Sequence, residues 1–201
     1  MIKNKEELKE EFSNLVKQYD LDDDLRDKII ILTRNITKFS KQAIYAIHRD
    51  ELDEAKKLIV QAEDEMKRGS EIINESEIHL MNNFRGGIEE YIEAKAYLLY
   101  VTENKIPTRK ELMFANKIPY ETYMEALSDF TGELAKRSIT LATANKIDEV
   151  KKIKETIDEV YGFYLEFDFR SSELRRKFEG LKYNLNKVES IIYDLTLKLK
   201  N

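Results

Sequence analysis

The chain has 201 residues, 36% of them charged, with 34 Lys and Arg set against 39 Asp and Glu for a formal net charge of −5. That balance excludes a uniformly basic nucleic-acid binder, but not one whose basic residues are gathered on one surface. The absence of cysteine excludes disulfides and thiolate metal sites, and six glycines and two prolines leave a sheet almost no turn chemistry to fold with.

In chain order, a short amphipathic helix is predicted over about 4–19, followed by an acidic turn, "DLDDD" (20–24), that caps a long helix over about 22–48. On the long helix Leu32, Ile36, Phe39, Ala43, Ala46 and Ile47 share one face, while Arg34, Lys38, Lys41, Tyr45, His48 and Arg49 fall on nearly the opposite one. No acidic residue occurs from 28 to 49. A solvated face is the plain reading of this stripe. The functional reading is a track of positive charge with a tyrosine in it, spaced to follow a phosphate backbone. The missing salt-bridge partners raise the odds of an anionic ligand.

"HRDELDEAKK" (48–57) interrupts the helix, with Asp50 placed to cap a third one that ends near Gly69. The stretch 74–83 is ambiguous, and the next helix starts there or at Gly86 and runs to Glu103. In "GGIEEYIEAKAYLLYV" (86–101), Glu90 and Glu93 share a face with Ala94, Tyr97, Tyr100 and Val101, whereas Glu89 points elsewhere, to solvent. Thr108 and Glu111 stand at capping-box spacing and start a short helix. Pro119 suits the first turn of another, which reaches about 145. There "SDFTGEL" (128–134) sets Asp129 and Glu133 one turn apart, on the flank of an apolar stripe of Tyr123, Leu127, Phe130, Leu134 and Leu141. Helices over about 147–163 and 171–200 complete the chain. In the last, Leu174, Phe178, Leu181, Leu185, Val188, Ile192, Leu195 and Leu199 form an a/d seam that suits either a bundle core or a subunit interface.

The expectation is therefore an all-α chain of about seven helices, one elongated helical bundle over 1–201. No membrane span or signal peptide is visible, so a soluble cytoplasmic protein is the default. The richness in Lys, Glu and Ile, without Cys or Trp, would suit a thermophile.

Either acid pair alone reads most simply as surface. Together, on two helices and beside buried faces, Glu90, Glu93, Asp129 and Glu133 suggest one shared site. Four clustered carboxylates raise one another's pKa values, and a hard divalent ion such as Mg²⁺ removes that penalty. Such a site polarises a phosphoryl oxygen and activates water, the chemistry of phosphodiester hydrolysis. A di-iron bundle would need Glu-x-x-His on two helices, but His48 and His79 are preceded at that spacing by Tyr45 and Ser76. No P-loop, nucleotide-binding glycine fingerprint or Ser-His-Asp arrangement is present.

Four stretches, "RNITKFSKQAIYAIHR" (34–49), "GGIEEYIEAKAY" (86–97), "SDFTGELAKRSI" (128–139) and "LRRKFEGLKYNLNKVESIIYDLTLK" (174–198), resemble the translin family, which comprises translin and translin-associated factor X. "EYIEA" and "DFTGEL" look like the acidic pattern of the catalytic branch, translin-associated factor X, while the C-terminal stretch looks more like translin. The resemblance implies a seven-helix fold and closed homo-oligomers, commonly octamers, that hold RNA inside the shell with the acidic sites facing inward. It implies a Mg²⁺-dependent endoribonuclease, with Mn²⁺ as an alternative ion. In this reading Glu90, Glu93, Asp129 and Glu133 hold one or two ions, and Arg34, Lys38, Lys41, His48 and Arg49 guide RNA by phosphate contact. Gly132 would keep bulk away from the site, or be tolerated for packing. Arg175, Arg176 and Lys177 either help bind RNA or are a solvated helix end.

The basic stretch that translin uses for nucleic acid is thin here, with only His79 and Arg85 in "IHLMNNFR", which leaves the preference for single strands or duplexes open. Two other classes stand beside the enzyme: a non-catalytic shell binding RNA or single-stranded DNA, and a purely structural helical oligomer.

Overall fold

With no glycine or proline between residues 5 and 48, nothing in the sequence stops a helix, and α1 runs unbroken over Lys5–His48. The computed structural model describes residues 3–75, 79–170 and 172–198. The acidic turn expected at 20–24 is helical: each aspartate lowers helix propensity by only roughly a few tenths of a kcal/mol, and Arg26 pairs back to Asp23 at 3.2 Å. Among the described residues five further helices follow: α2 (Leu52–Glu75), α3 (His79–Glu103), α4 (Tyr120–Thr143), α5 (Ile147–Tyr164) and α6 (Ser172–Lys198). The fold is all-α, with no strand among the described residues.

The described residues form six helices, close to the expected seven: of the eight segments delimited in the sequence the first two are one helix, and the one at Thr108 is a single 3₁₀ turn, Arg109–Glu111. Its capping box is formed, with the Thr108 backbone N–H donating to Glu111 at 2.8 Å.

Asparagine and aspartate supply the left-handed residues that glycine usually supplies after a helix. Asp50, Asn104 and Asn145 have φ of 57°, 53° and 57° just past α1, α3 and α4. Beyond α1 the Glu51 N–H bonds to Ala46 O at 2.9 Å, and beyond α4 the Lys146 N–H bonds to Leu141 O at 2.9 Å, each reaching back five residues to a carbonyl of the last turn. Asp50, expected to open the next helix, therefore closes the one before it.

Gly69 does not end α2 either. It lies where α2 meets α3, and a Cβ there would come within 2.5 Å of the Phe84 ring. That close approach is what requires glycine.

α1 packs on α2 and α3, α3 on α4, and α4 on α5 and α6, which also pack on each other. α3 and α4 are thus the link between the two halves. Ile36, Ala43, Ala46 and Ile47 are buried as the α1 pattern predicts, with Leu32 and Phe39 partly buried beside them. In α6, Leu174, Leu181, Leu185 and Val188 are buried in the same core, so this part of the seam is bundle interior. Leu199 lies outside the described residues. At 44 residues and ~1.5 Å per residue α1 is about 66 Å long. Its first part, residues 5–21, is exposed on every face, Phe12 and Tyr19 included. No helix among the described residues is long and apolar enough to cross a membrane.

Candidate active site

The α3–α4 contact is made by buried residues, Ala94 and Tyr97 on one helix and Phe130 and Leu134 on the other, with Tyr100 edge-on to Phe130 at 5.8 Å. Acids placed on the flanks of those two stripes must then meet at the edge of the contact. Glu93 sits at the centre of the group. Burial pushes its carboxyl up, and the neighbouring charges of Asp129, Glu90 and Glu133 push it further, to about 9. Glu93 and Glu133 line one groove with Asp129 and another with Glu90, so the four predicted carboxylates are neighbours.

The other three each have a cation. Lys177, from α6, places its Nζ 2.5 Å from Asp129 and 2.7 Å from Glu89. Lys41, from the basic face of α1, lies 2.9 Å from Glu90, whose hydrogen bond and charge raise the lysine pKa. Burial works to raise Glu133, but the hydrogen bond from His48 and the charge of Lys136, 3.6 Å away, outweigh it and hold Glu133 below its ordinary value.

Two grooves open from Glu93 and Glu133. One of about 460 Å³ lies between α4 and α6 and is lined by Asp129, Gly132, Lys177, Tyr183 and Asn184. The other, about 320 Å³, faces α1 and is lined by Lys41, Tyr45, Glu90 and Lys136. A larger cleft of about 850 Å³, lined by Tyr100, Arg137, Glu149 and Thr156 among others, contains none of the predicted site residues.

Arg34, Lys38, Lys41, Tyr45 and Arg49 are exposed on α1 as the pattern predicts. Arg49 also pairs with Glu51 and lies 5.5 Å over the Tyr45 ring. His48 departs from the group. It is half-buried, accepts at Nδ1 from the Tyr97 hydroxyl at 3.1 Å, and donates from Nε2 to Glu133. The basic face thus joins the acidic cluster at two points, Lys41 to Glu90 and His48 to Glu133.

Glu89, expected in solvent, is half-buried on Lys177, and Lys177 itself is not part of a solvated helix end. The signal was available: Lys177 stands three residues after Leu174 and four before Leu181, on the buried side of its helix. Likewise His48 follows Ile44 by four residues and Ile47 by one. Arg85, one of the two basic residues in the thin stretch, donates to both oxygens of Glu125, at 2.7 and 2.6 Å, and Glu125 is only 3% exposed. This ion pair is part of the packing. The side chain of His79 lies outside the described residues. At Gly132 a Cβ would stand 3.5 Å from Asn184, ordinary contact distance, so the approach of α6 does not require glycine there.

The chemistry of this donor set fits a hard divalent cation. The four groups are carboxylates, and Glu93 is left without a counter-charge strong enough to ionise it at neutral pH. The oxygens are not gathered into a finished coordination shell, however. Among the described residues no three His, Asp or Glu side chains are grouped closely enough to hold an ion.

Comparison with known proteins gives a coherent result. The model of the Translin family matches residues 24–199. The translin-associated protein X homolog of Schizosaccharomyces pombe is 23% identical over 208 aligned residues, covering 95% of this chain and 89% of that protein. A crystal structure of apo-NeC3PO superposes with a TM-score of 0.79 at 26% identity, over 97% of this chain and 98% of that one. A structure of AfC3PO in complex with duplex RNA superposes with a TM-score of 0.85 at 16% identity, over 95% of this chain and 99% of that one.

Proposed function

The chain belongs to the translin family, and from that premise we propose that it is a Mg²⁺-dependent endoribonuclease that binds RNA within a homo-oligomer. The observation that carries this reading is the meeting of Glu90 and Glu93 from α3 with Asp129 and Glu133 from α4, beside grooves edged by Lys41, Tyr45, Lys136 and Lys177. The relatives lend support at the level of ligand class: a chain of this fold has been seen with duplex RNA, and a relative is named for translin-associated protein X.

Glu90, Glu93, Asp129 and Glu133 are the residues that would hold the ion. When bound, Mg²⁺ or Mn²⁺ would polarise a phosphoryl oxygen and lower the pKa of a water. The chain's own residues prepare the rest. Arg34 and Lys38 on the exposed face of α1 engage backbone phosphates, and Tyr45 offers a ring for base stacking, giving affinity with little sequence preference. Lys41 leads that face into the site at Glu90. His48, steadied by Tyr97, fixes the direction of the Glu133 carboxylate. Glu93 keeps a proton at neutral pH, and a bound divalent cation would favour its ionised form.

A second reading is a binding shell that does not cut. It is favoured by the protein cations already seated on Asp129, Glu133 and Glu90, which are Lys177, Lys136 and Lys41. End-labelled single-stranded and duplex RNA incubated with Mg²⁺, beside the Asp129→Asn, Glu133→Gln double variant, separates the two. Cutting by the parent alone supports the enzyme. RNA bound by both and cut by neither supports the shell, and equal cutting by both overturns the assignment of these carboxylates.

A further inference from the structure

Lys177 is the cation that the acidic pattern does not contain and that the fold inserts into it. It comes from α6, which supplies none of the four carboxylates, and it crosses to α3 and α4 at once. Its side chain is only 16% exposed, an unusual setting for a lysine, whose long stem costs conformational entropy to fix. Burial alone would lower its pKa, but the bonds to Asp129 and Glu89 more than offset this, so the ammonium stays charged. Its charge also bears on Glu93, where it is the cation that opposes the three neighbouring carboxylates. The ammonium lines the same 460 Å³ groove as Asp129, Glu93 and Glu133.

We propose that Lys177 is an internal competitor of the divalent ion: its ammonium holds Asp129 while no ion is bound, and entry of the ion releases it into the groove, where it meets an RNA phosphate. The inference rests on reading the acidic cluster as a divalent-ion site, and it adds the residue that regulates that site. The physical ground is linkage. Asp129 cannot give the same lone pairs to an ammonium and to an ion, so each equilibrium weakens the other. Glu89 provides the hinge point. It is bonded to the same ammonium from outside the ligand set, so Lys177 keeps one partner when Asp129 is taken. Arg176, exposed beside it on the groove wall, makes that wall a basic surface once the ammonium is free.

The competition gives opposite signs to two measurements on one variant. Mn²⁺ affinity is read from the electron-paramagnetic signal of the free ion. RNA affinity is read from the anisotropy of a labelled 2′-O-methyl oligonucleotide, which resists cutting, in saturating Mn²⁺. Lys177→Gln is expected to bind Mn²⁺ roughly fivefold tighter or more and to bind the oligonucleotide more weakly. Lys177→Arg, which keeps the charge, should move both values back toward the parent. A merely structural lysine would, on removal, loosen both or neither. Unchanged or weaker Mn²⁺ binding by Lys177→Gln, with the parent binding normally, overturns the competition and leaves the ion site standing. Failure of all three proteins to bind Mn²⁺ overturns both the competition and the ion site. Circular dichroism and sedimentation of each protein separate these results from misfolding.

Discussion

Glu93 shows what clustering does to a single carboxyl. Its pKa is raised from 4.5 to about 9 in the folded chain, by burial first and then by Asp129, Glu90 and Glu133. Between those two values the folded state holds a proton that the unfolded state has released, so stability falls as pH rises through that window, by up to about 1.4 kcal/mol per pH unit. Urea unfolding at about pH 6 and about pH 8.5 should therefore show a less stable parent at the higher pH, and Glu93→Gln should remove most of the difference. Added MgCl₂ is expected to recover stability at the higher pH in the parent and not in the variant. A parent equally stable at both values would show that the cluster does not hold that proton. On the exposed face of α1 the prediction concerns binding. Arg34→Glu with Lys38→Glu should weaken RNA uniformly across sequences and reduce the salt slope by about 1 for each phosphate no longer engaged. An unchanged slope in filter binding would remove both residues from the interface. Lys41 is a poorer probe, because its loss also disturbs Glu90.

At the scale of the helices, Gly69 offers the sharpest test of packing. Gly69→Ala gains about 1 kcal/mol of helix propensity, but its new methyl would stand 2.5 Å from a Phe84 ring that is 1% exposed. Overpacking of this kind costs typically about 1–3 kcal/mol, so a net loss of stability is expected in chemical denaturation. A more stable Gly69→Ala would mean that the α2–α3 contact yields freely. The same residue shows where pattern reading of the sequence stops. Apolar periodicity identifies the main buried stripes of α1, α4 and α6, because a face is a local property of 3.6-residue geometry, but not the polar residues such as Thr122, Glu125 and Thr131 that α4 also buries. The ends of α1 and α2 escape it because glycine and aspartate each have two uses. Gly69 looks like a terminator and is a close contact; Asp50 looks like an N-cap and is a left-handed closure. The two acid pairs are legible as helix flanks, but their partners are not. Lys177 lies 48 residues from Asp129 in sequence, and His48 lies 85 from Glu133, distances that only the packing of α6 and α1 on the middle helices can close.

For the molecule as a whole, the informative feature is the length of α1 that has nothing to pack on. Residues 5–21 carry Leu8, Phe12, Leu15, Val16 and Tyr19 at steps of four, three, one and three, an amphipathic stripe, yet all five are exposed and Phe12 is 64% exposed. An isolated helix of this length is marginal in water, and covering each of these side chains is worth about 1.5–3 kcal/mol. The C-terminal end of α6 repeats the situation on a smaller scale, with Tyr193 and Leu197 exposed beyond the buried part of its seam. Much of that seam is core, and the α1 overhang and the last turns of α6 leave apolar surface for a subunit contact to cover. The occupant we expect is a second copy of this chain, because a homo-oligomer would cover both surfaces by symmetry. Phe12→Asp with Val16→Asp should then lower the oligomeric state in light scattering while the helical signal from the bundle, whose core begins at Ile29, is kept. If RNA is held within the assembly, its affinity should fall in the same variant although Arg34 and Lys38, the residues proposed to engage phosphate on α1, are untouched. Dissociation with undiminished affinity would place binding on the single chain. An unchanged assembly would mean that the overhang is not the surface on which the copies meet.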